Sequence, residues 1–258
     1  MLLRQLLIIL FVCLWFTGSA QTKRRQRIDS LQYAILHTKD DTAKVKLLLK
    51  IGDDFVDADA GEMIRYAREA LDLAERLADT VSMAGAYNNL GVAYYHDKKW
   101  NKALSNFQAG LQICRSLHDT QREGVALCNI GLVYSRVDYL NKAQESFDEA
   151  KAILEKTGDQ LFLANTIAGI GWLYVKRMQY ASAIECYDRA LGLYKDINKK
   201  GGMAKACNEL SWLYYKTDQY GLAEETALSA LAFAHESEYR LGVKEANQML
   251  NKIRGMKK

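Results

Sequence analysis

Proline is missing from this sequence altogether: none occurs among its 258 residues, although about 5% is usual. Because proline interrupts helices and removes a backbone hydrogen-bond donor, its absence favours a chain that is helical almost throughout. The net charge is also low, at +4, and no RNA- or DNA-binding motif is recognisable. Composition therefore gives no reason to expect a nucleic-acid partner.

The side chains that usually carry catalysis or metal binding are few and poorly placed. The histidines do not share a helical face at the spacing of metal ligands, and no two cysteines form a CxxC pair. No glycine-rich phosphate loop follows a strand, and no nucleophile stands beside a base in a recognisable motif. We therefore expect a protein that is not an enzyme, with no catalytic residues, no metal site and no cofactor.

Two of the cysteines leave one alternative open. Cys186 and Cys207 fall on consecutive predicted helices, and an exported chain could join them in a disulfide. Buried free thiols are the simpler expectation, because each cysteine occupies a helical position where a small apolar residue would serve.

What the sequence does contain is a pattern that returns every 40 residues. A Leu-Gly, Ile-Gly or Leu-Ser pair is followed by a tyrosine, then by an alanine, and in three units by an aromatic ring. The glycine or serine positions are Gly91, Gly131, Gly171 and Ser211; the alanines are Ala103, Ala143, Ala183 and Ala223; the rings are Phe107, Phe147 and Tyr187. Apolar residues recur at spacings of three and four within each half-unit, which predicts two helices per unit. One such pair cannot bury its apolar face alone, so the units must stack.

This pattern resembles the tetratricopeptide repeat, and the resemblance covers residues 41 to about 254. The period of 40 exceeds the usual 34 of the family, and the usual proline near the end of the second helix is missing. Six extra residues lengthen the helices by roughly 9 Å in total. The sequence is most similar to the long-helix branch, which includes the LGN/Pins spindle scaffolds and many bacterial signalling proteins. The resemblance implies an all-α fold, a right-handed α-solenoid of about five helix pairs with a capping helix at each end.

The first twenty residues have the layout of a secretory signal. Arg4 precedes an apolar run, Leu6 to Phe16, and small residues lead to a cleavage site after Ala20. This predicts an exported chain, periplasmic or secreted. The alternative is an uncleaved membrane anchor, because the basic residues that begin at Lys23 resist translocation.

The whole chain is accordingly predicted to have four parts. These are a signal peptide (1–20), a basic segment with a short capping helix (21–40), five tetratricopeptide repeats (41–237) and a C-terminal capping helix (238–258).

The junctions between repeats carry helix-starting residues. Asp79, Asp119 and Asp159 recur 40 residues apart, and aspartate is a good N-cap. Thr120 to Glu123 has the spacing of a capping box, in which the threonine side chain caps the helix and the glutamate reaches back. The junction Asn198 to Gly202 contains two glycines and is the loosest, which makes it a candidate hinge.

The resemblance also implies where a partner would bind, since the first helix of each pair lines the concave face in this family. The matching positions predict a partner-binding groove formed by Asn88, Val92, Tyr95, His96, Leu132, Arg136, Trp172, Lys176, Lys205, Asn208, Trp212, Tyr215 and Lys216.

Two features of this groove indicate the kind of partner. Trp172 and Trp212 occupy equivalent positions and are surrounded by basic residues, and tryptophan and arginine dominate binding hot spots. Asparagine can hold an extended peptide backbone through its paired donor and acceptor. We expect a protein or peptide partner, possibly acidic, with apolar or aromatic anchors. In the alternative, the tryptophans pack between helices and the lysines are ordinary solubilising charge.

The sequence therefore predicts a non-catalytic interaction module or scaffold of the cell envelope that binds an extended segment. One alternative is a peptide-sensing signalling component, related to the sensor ectodomains built from such repeats, although no kinase, receiver or helix-turn-helix segment is recognisable. The other is an assembly factor that acts through its convex face or by self-association. A membrane contact is expected only if the N-terminal segment is uncleaved, and the oligomeric state is left open.

Overall fold

The structure, a computed structural model, describes residues 24–53, 55 and 59–256, and all regular secondary structure in these ranges is α-helical. In chain order the helices are α1 (24–37), α2 (Thr42–Asp53), α3 (Ala60–Arg76), α4 (Thr80–His96), α5 (Trp100–Ser116), α6 (Thr120–Arg136), α7 (Leu140–Thr157), α8 (Gln160–Lys176), α9 (Tyr180–Asp196), α10 (Lys200–Lys216), α11 (Tyr220–Glu236) and α12 (Arg240–Met256). The predicted all-α fold is confirmed. The predicted signal peptide, residues 1–20, lies outside the described residues.

Contacts between the helices divide the chain into two compact units, Met1–Ile113 and Cys114–Lys258, so that α5 begins in the first and ends in the second. In the first unit, α2 packs against α3, and α3 packs against α4. In the second unit, the pairs α6/α7, α8/α9 and α10/α11 pack in succession, and α12 covers the last of them.

The 40-residue period follows from helix length and turn geometry. Two 17-residue helices with two three-residue turns make one repeat, as in α8 and α9. One residue of each turn adopts the left-handed conformation; at Met178, φ is 58°. The next N–H then donates to the carbonyl five residues earlier, as Gln179 N does to Tyr174 O at 2.9 Å. This closes the helix end without proline, and it caps otherwise unsatisfied carbonyl groups.

The aspartate N-caps are confirmed, whereas the capping box is not. The carboxylates of Asp79, Asp119 and Asp159 each accept a backbone N–H three residues on, at 3.0 to 3.1 Å. Thr120 is the first residue of α6 and not its cap. Glu123 instead accepts a bond from Arg115 Nε at 2.7 Å, because Asp119 already caps the helix.

The candidate hinge at Asn198 to Gly202 is also wrong. Asn198 forms the same left-handed turn as the other junctions, with φ of 52°, and both glycines lie inside α10. Gly202 is required by close packing, since a Cβ there would lie 2.4 Å from the Tyr194 ring. Gly202 therefore indicates a tight helix contact and not a loose connection, whereas a Cβ on Gly201 would meet no atom closer than 3.9 Å.

The recurring glycine and aromatic ring meet between the two helices of a pair. A Cβ on Gly91 would lie 2.5 Å from the Phe107 ring, and one on Gly131 would lie 2.6 Å from the Phe147 ring. The last repeat departs from the pattern at both positions: Ser211 replaces the glycine and Ala227 replaces the ring. With the ring absent, the Ser211 hydroxyl fits and donates to Ala223 O at 2.7 Å.

The joint replacement of the glycine and the ring in the last repeat predicts that the glycine and ring positions are strongly coupled in the other repeats. Gly131→Ser should lower the free energy of unfolding by about 2 kcal/mol, because the new side chain overpacks the Phe147 ring. In a Phe147→Ala background, itself destabilised by about 3–5 kcal/mol, the same substitution should cost less than about 1 kcal/mol, because the ring is gone. Urea unfolding of the four variants measures the coupling energy. An equal cost of Gly131→Ser in both backgrounds would contradict the packing described above.

Candidate functional site

The predicted groove residues lie on the first helix of each pair, as the repeat pattern requires. Asn88, Val92, Tyr95 and His96 lie on α4 in the first unit. The other nine lie in the second unit on α6, α8 and α10, and we call them the second-unit face: Leu132, Arg136, Trp172, Lys176, Lys205, Asn208, Trp212, Tyr215 and Lys216.

In the first unit the predicted residues end in a small aromatic cluster. The Tyr95 ring meets Trp100 edge-on at a centroid distance of 5.3 Å and His96 at 5.9 Å. The neighbouring Asn89, which the groove prediction left out, is buried and donates to Leu49 O at 3.2 Å and to Asp53 Oδ1 at 3.1 Å. The polar contact between first helices in this unit is thus made by Asn89.

On the second-unit face, both tryptophans are half-buried. Trp172 packs against the cluster that contains Phe147 and Leu173, and Trp212 packs against the cluster that contains Tyr187. The Tyr180 ring also stands perpendicular to Trp212, at a centroid distance of 5.9 Å. Each indole therefore fills space between helices with one part and leaves another part accessible. One part of each ring therefore packs between helices, and the other part is accessible to a partner.

The lysines of this face are held over aromatic rings. Lys176 Nζ lies 4.8 Å from the centroid of Trp172, and Lys216 Nζ lies 5.6 Å from that of Trp212, so the same pair occurs in consecutive repeats. Lys205 Nζ lies 5.1 Å from the Tyr239 ring. Lys176 also forms an ion pair with Asp138 at 2.9 Å. Lys176 thus already has one acidic neighbour in an exposed ion pair, which is weak in water.

Asn208 is engaged within the fold. Its amide nitrogen donates to Gly242 O at 3.1 Å and to Glu245 Oε2 at 3.2 Å, both on α12. Lys252 on the same helix places its Nζ 4.8 Å from the Tyr215 ring. Two predicted groove residues therefore help to attach the last helix to α10.

Glu209 is the functional candidate that the sequence analysis missed. It lies on α10 between Asn208 and Trp212 and is half-buried, and no side-chain oxygen or nitrogen atom of the described residues is both buried and without a hydrogen-bond partner. Burial raises the pKa of Glu209, nearby Glu245 raises it further, and Arg136 partly offsets the rise. The repeat pattern itself marks this residue, because the equivalent positions hold the uncharged residues Asn89, Asn129 and Gly169. Glu209 is the one charged residue among these four positions.

Residues 82–156 and 126–196 match the family model described as the tetratricopeptide repeat. Residues 82–196 are therefore tetratricopeptide repeats. No curated protein matches the sequence.

Solved structures share the fold of this tetratricopeptide-repeat chain at low sequence identity. A Rap protein complexed with Competence and Sporulation Factor has a TM-score of 0.66 and 18% identity, over 93% of this chain and 73% of that one. NprR in complex with its cognate peptide NprX has a TM-score of 0.57 and 16% identity, over 90% and 73%. A signal-transduction ATPase with a tetratricopeptide repeat sensor from Pyrococcus horikoshii has a TM-score of 0.65 and 18% identity. The match covers 93% of this chain but only 37% of that one. These likenesses confirm the all-α solenoid class.

The described part of the tetratricopeptide-repeat chain offers little for other chemistry. No group of three or more His, Cys, Asp or Glu side chains in those residues is placed to hold a metal ion. A helix long and apolar enough to cross a membrane is likewise absent from them. Cys114, Cys128, Cys186 and Cys207 are free thiols. Burial raises the pKa of Cys128 to about 12 and that of Cys207 to about 11, so both are protonated at neutral pH and poor nucleophiles.

Glu209→Gln is expected to stabilise the protein at pH 7 by roughly 0.5 kcal/mol, because burial and the nearby Glu245 carboxylate disfavour the charged form of Glu209. The folded-state pKa of Glu209 is raised, so the folded chain holds this proton more tightly than the unfolded chain does. The destabilisation is therefore fully present above the folded pKa and vanishes as pH falls below the unfolded value of about 4.3.

Urea unfolding of parent and variant at several pH values measures this difference. The gain in the variant should shrink toward zero as the pH is lowered to about 4. Glu145→Gln is the matched control, because Glu145 is exposed on α7, and it should change the free energy of unfolding by less than about 0.5 kcal/mol. A Glu209→Gln variant less stable than the parent at pH 7 would show that the carboxylate is well solvated or paired.

Proposed function

We propose that this chain is a non-catalytic protein-interaction module that binds an extended peptide segment of a partner along the second-unit face. The observation that carries the proposal is the repeated pair, Trp172 with Lys176 and Trp212 with Lys216, at equivalent positions of consecutive repeats. Equivalent side chains on α8 and α10 present the same surface twice. An extended segment, whose side chains also recur at regular intervals, fits such a surface.

The chemistry of the pair supports an anchor made by the partner's apolar or aromatic groups. Trp172 and Trp212 are half-buried and rigid because each packs on a core cluster. Binding to a pre-positioned ring loses little side-chain entropy. Lys216 lies above Trp212 and can meet an acidic group at the rim of the site, so a partner with some acidic residues remains part of the proposal.

The similar structures support a peptide partner without naming one. Two of them were solved with a factor or a cognate peptide bound: a Rap protein with Competence and Sporulation Factor, and NprR with NprX. By analogy, the second candidate function is peptide sensing within a signalling pathway. The tetratricopeptide repeat sensor of the Pyrococcus horikoshii ATPase favours this candidate by its similar fold. A shared fold is an argument by analogy.

The groove proposal predicts that three side chains carry most of the peptide affinity. A random dodecapeptide library displayed on phage, selected on the purified chain, supplies the ligands. Lys176, Trp212 and Lys216, all changed to Ala, should weaken the binding of selected peptides at least tenfold, or about 1.4 kcal/mol, because the indole anchor and both cations are gone. Fluorescence anisotropy with labelled peptides measures the dissociation constants.

The matched control changes three exposed residues on second helices, Lys156, Lys195 and Leu228, to Ala. Circular dichroism should show that both triple variants remain folded. Equal affinity in both variants would place the binding site elsewhere. If no peptide is selected and the chain self-associates in analytical ultracentrifugation, the assembly role would replace the proposal.

For localisation we propose export with cleavage after Ala20, supported by the three-part pattern of the first twenty residues. Mass spectrometry of the protein recovered from expressing cells should find a chain that begins at Gln21. It should occur in the envelope or culture-medium fraction. An intact chain in the cytosol would contradict export, and an intact chain in the membrane pellet would support the uncleaved anchor.

A further inference from the structure

We propose that the exposed side of α1 docks on an anionic lipid surface. Arg25, Tyr33, Leu36 and His37 form this side, and we call it the α1 outer face. The inference goes beyond the proposed function, because it concerns the first unit and a surface that the predicted groove does not include. Contact through α1 requires no uncleaved N-terminal anchor, so it applies to a chain that begins at Gln21.

The first support is an exposed apolar patch on α1. Leu36 is 79% exposed and Tyr33 is 66% exposed, whereas Leu31 and Ile35 of the same helix are buried in the core of the first unit. Tyr33 and Leu36 are three residues apart and are therefore neighbours on the helix surface. The His37 ring stacks on Tyr33 at a centroid distance of 4.0 Å, and its Nδ1 lies 2.8 Å from Tyr33 O. The three side chains thus form one continuous patch.

The helix at the other end of the chain is different. The middle of α12 exposes polar side chains, Lys244, Asn247 and Asn251, as the terminal helix of a repeat array needs for solubility. Its large exposed apolar residues are Leu241 and Met256, which lie at opposite ends of the helix, roughly 22 Å apart. Along the described length of α12 there is therefore no patch like that of α1, and exposure of this kind is not a general property of the end helices.

The second support is charge complementarity. Residues 21–53 contain eight lysine or arginine and four aspartate residues, whereas residues 54–258 contain 26 basic and 27 acidic residues. Arg24, Arg25 and Arg27 lie in the first turn of α1, about two turns before the apolar patch. Each basic residue close to an anionic bilayer strengthens binding roughly fivefold. The net positive charge of the chain is therefore placed next to its exposed apolar patch.

The acidic residues near this end leave most of that charge in place. The Asp40 carboxylate accepts a hydrogen bond from Lys44 Nζ at 2.8 Å, and Asp41 accepts one at 2.8 Å from a backbone N–H at the start of α2. Asp29 is the one acidic residue of α1, and it is exposed. The helix thus carries three arginines against a single aspartate.

A bilayer surface matches the combination of these features. Tyrosine rings favour the membrane–water interface, and an exposed leucine gains free energy by entering the boundary of the acyl chains. Arginines at the same depth as Tyr33 meet the acidic headgroups. A nucleic acid would attract the arginines equally well, but it would leave Leu36 in water.

Vesicle flotation of the chain that begins at Gln21, which contains every described residue, tests the inference. Vesicles of phosphatidylcholine with about 30% phosphatidylglycerol should bind this chain at least tenfold more tightly than vesicles of phosphatidylcholine alone. Salt at about 0.5 M should release most of the bound protein, because it screens the attraction to the headgroups.

The contribution of the apolar patch is measured with a double variant. Tyr33→Ser with Leu36→Ser should weaken binding to the anionic vesicles at least fivefold, because the inserted apolar groups are lost. The matched control is Leu241→Ser with Met256→Ser on α12, which should weaken it by less than about twofold. All four side chains are exposed, so circular dichroism should show unchanged helix content in both variants.

The contribution of charge is measured with single reversals. Arg25→Glu should weaken binding to the anionic vesicles at least tenfold, because it removes one attraction to the headgroups and adds one repulsion. Lys244→Glu is the matched control, since Lys244 is exposed on α12, which is also basic. It should weaken binding by less than about threefold.

Four results would overturn the inference. They are equal binding to both kinds of vesicle, no binding to either, equal losses in the α1 variants and the α12 controls, and binding that depends on Arg25 but not on Tyr33 and Leu36. The last result would indicate a general attraction to polyanions. If the parent binds no vesicles but self-associates through Tyr33 and Leu36, the α1 outer face belongs to a second copy of the chain. Peptide binding on the second-unit face is measured separately, so the proposed function stands or falls independently.

Discussion

The contact between a glycine of one helix and an aromatic ring of the next sets the spacing of the helices in the repeats that contain Gly91 and Gly131. Gly131 and Phe147 are so close that even a methyl group on the glycine would overlap the ring. Small residues let two helices cross closely, and the ring then fills the space beside the crossing at the density of a protein interior. The alanines that follow, such as Ala143 and Ala183, are completely buried. Where the ring is lost, in the last repeat, the glycine has become Ser211 and its hydroxyl takes up the space.

This tight pairing explains the turns and the absence of proline. Most of the helices have 17 residues and leave three residues for the connection to the next helix, while α7 has 18 and leaves two. A left-handed residue closes the helix within that length. Eight non-glycine residues adopt this conformation in the described chain, and one glycine, Gly158, does so with φ of 75°. Left-handed backbone costs a non-glycine residue roughly 1–2 kcal/mol, so the hydrogen bonds that follow each turn must offset that cost. Proline, with its fixed negative φ, cannot occupy the position at all.

The second-unit face is marked by two large rings that the neighbouring helices cover only in part. Trp172 and Trp212 are both half-buried, and the acidic Glu209 lies beside this face at a position where the equivalent residues are neutral. Features of this kind lower stability, and they support the binding that we propose for this face. The polar contacts of Asn208 with α12 show the contrasting case, in which a polar side chain on the same helix is fully used inside the fold.

The sequence by itself determined the repeat, the helix pairs, the aspartate caps and the helices on which the proposed binding face lies. These follow from local periodicity and from residues such as Gly131 and Asp119, whose roles depend on a few neighbours in the chain. Only the tertiary structure decided which groove residues remain available, because that depends on contacts between residues far apart in sequence. Lys176 forms an ion pair with Asp138, and Asn208 donates a hydrogen bond to α12. Contacts between helices also decide the role of Gly202, which lies against the Tyr194 ring of the preceding helix and does not form a hinge. They decide the raised pKa of Glu209 as well, because burial and Glu245 on α12 cause it.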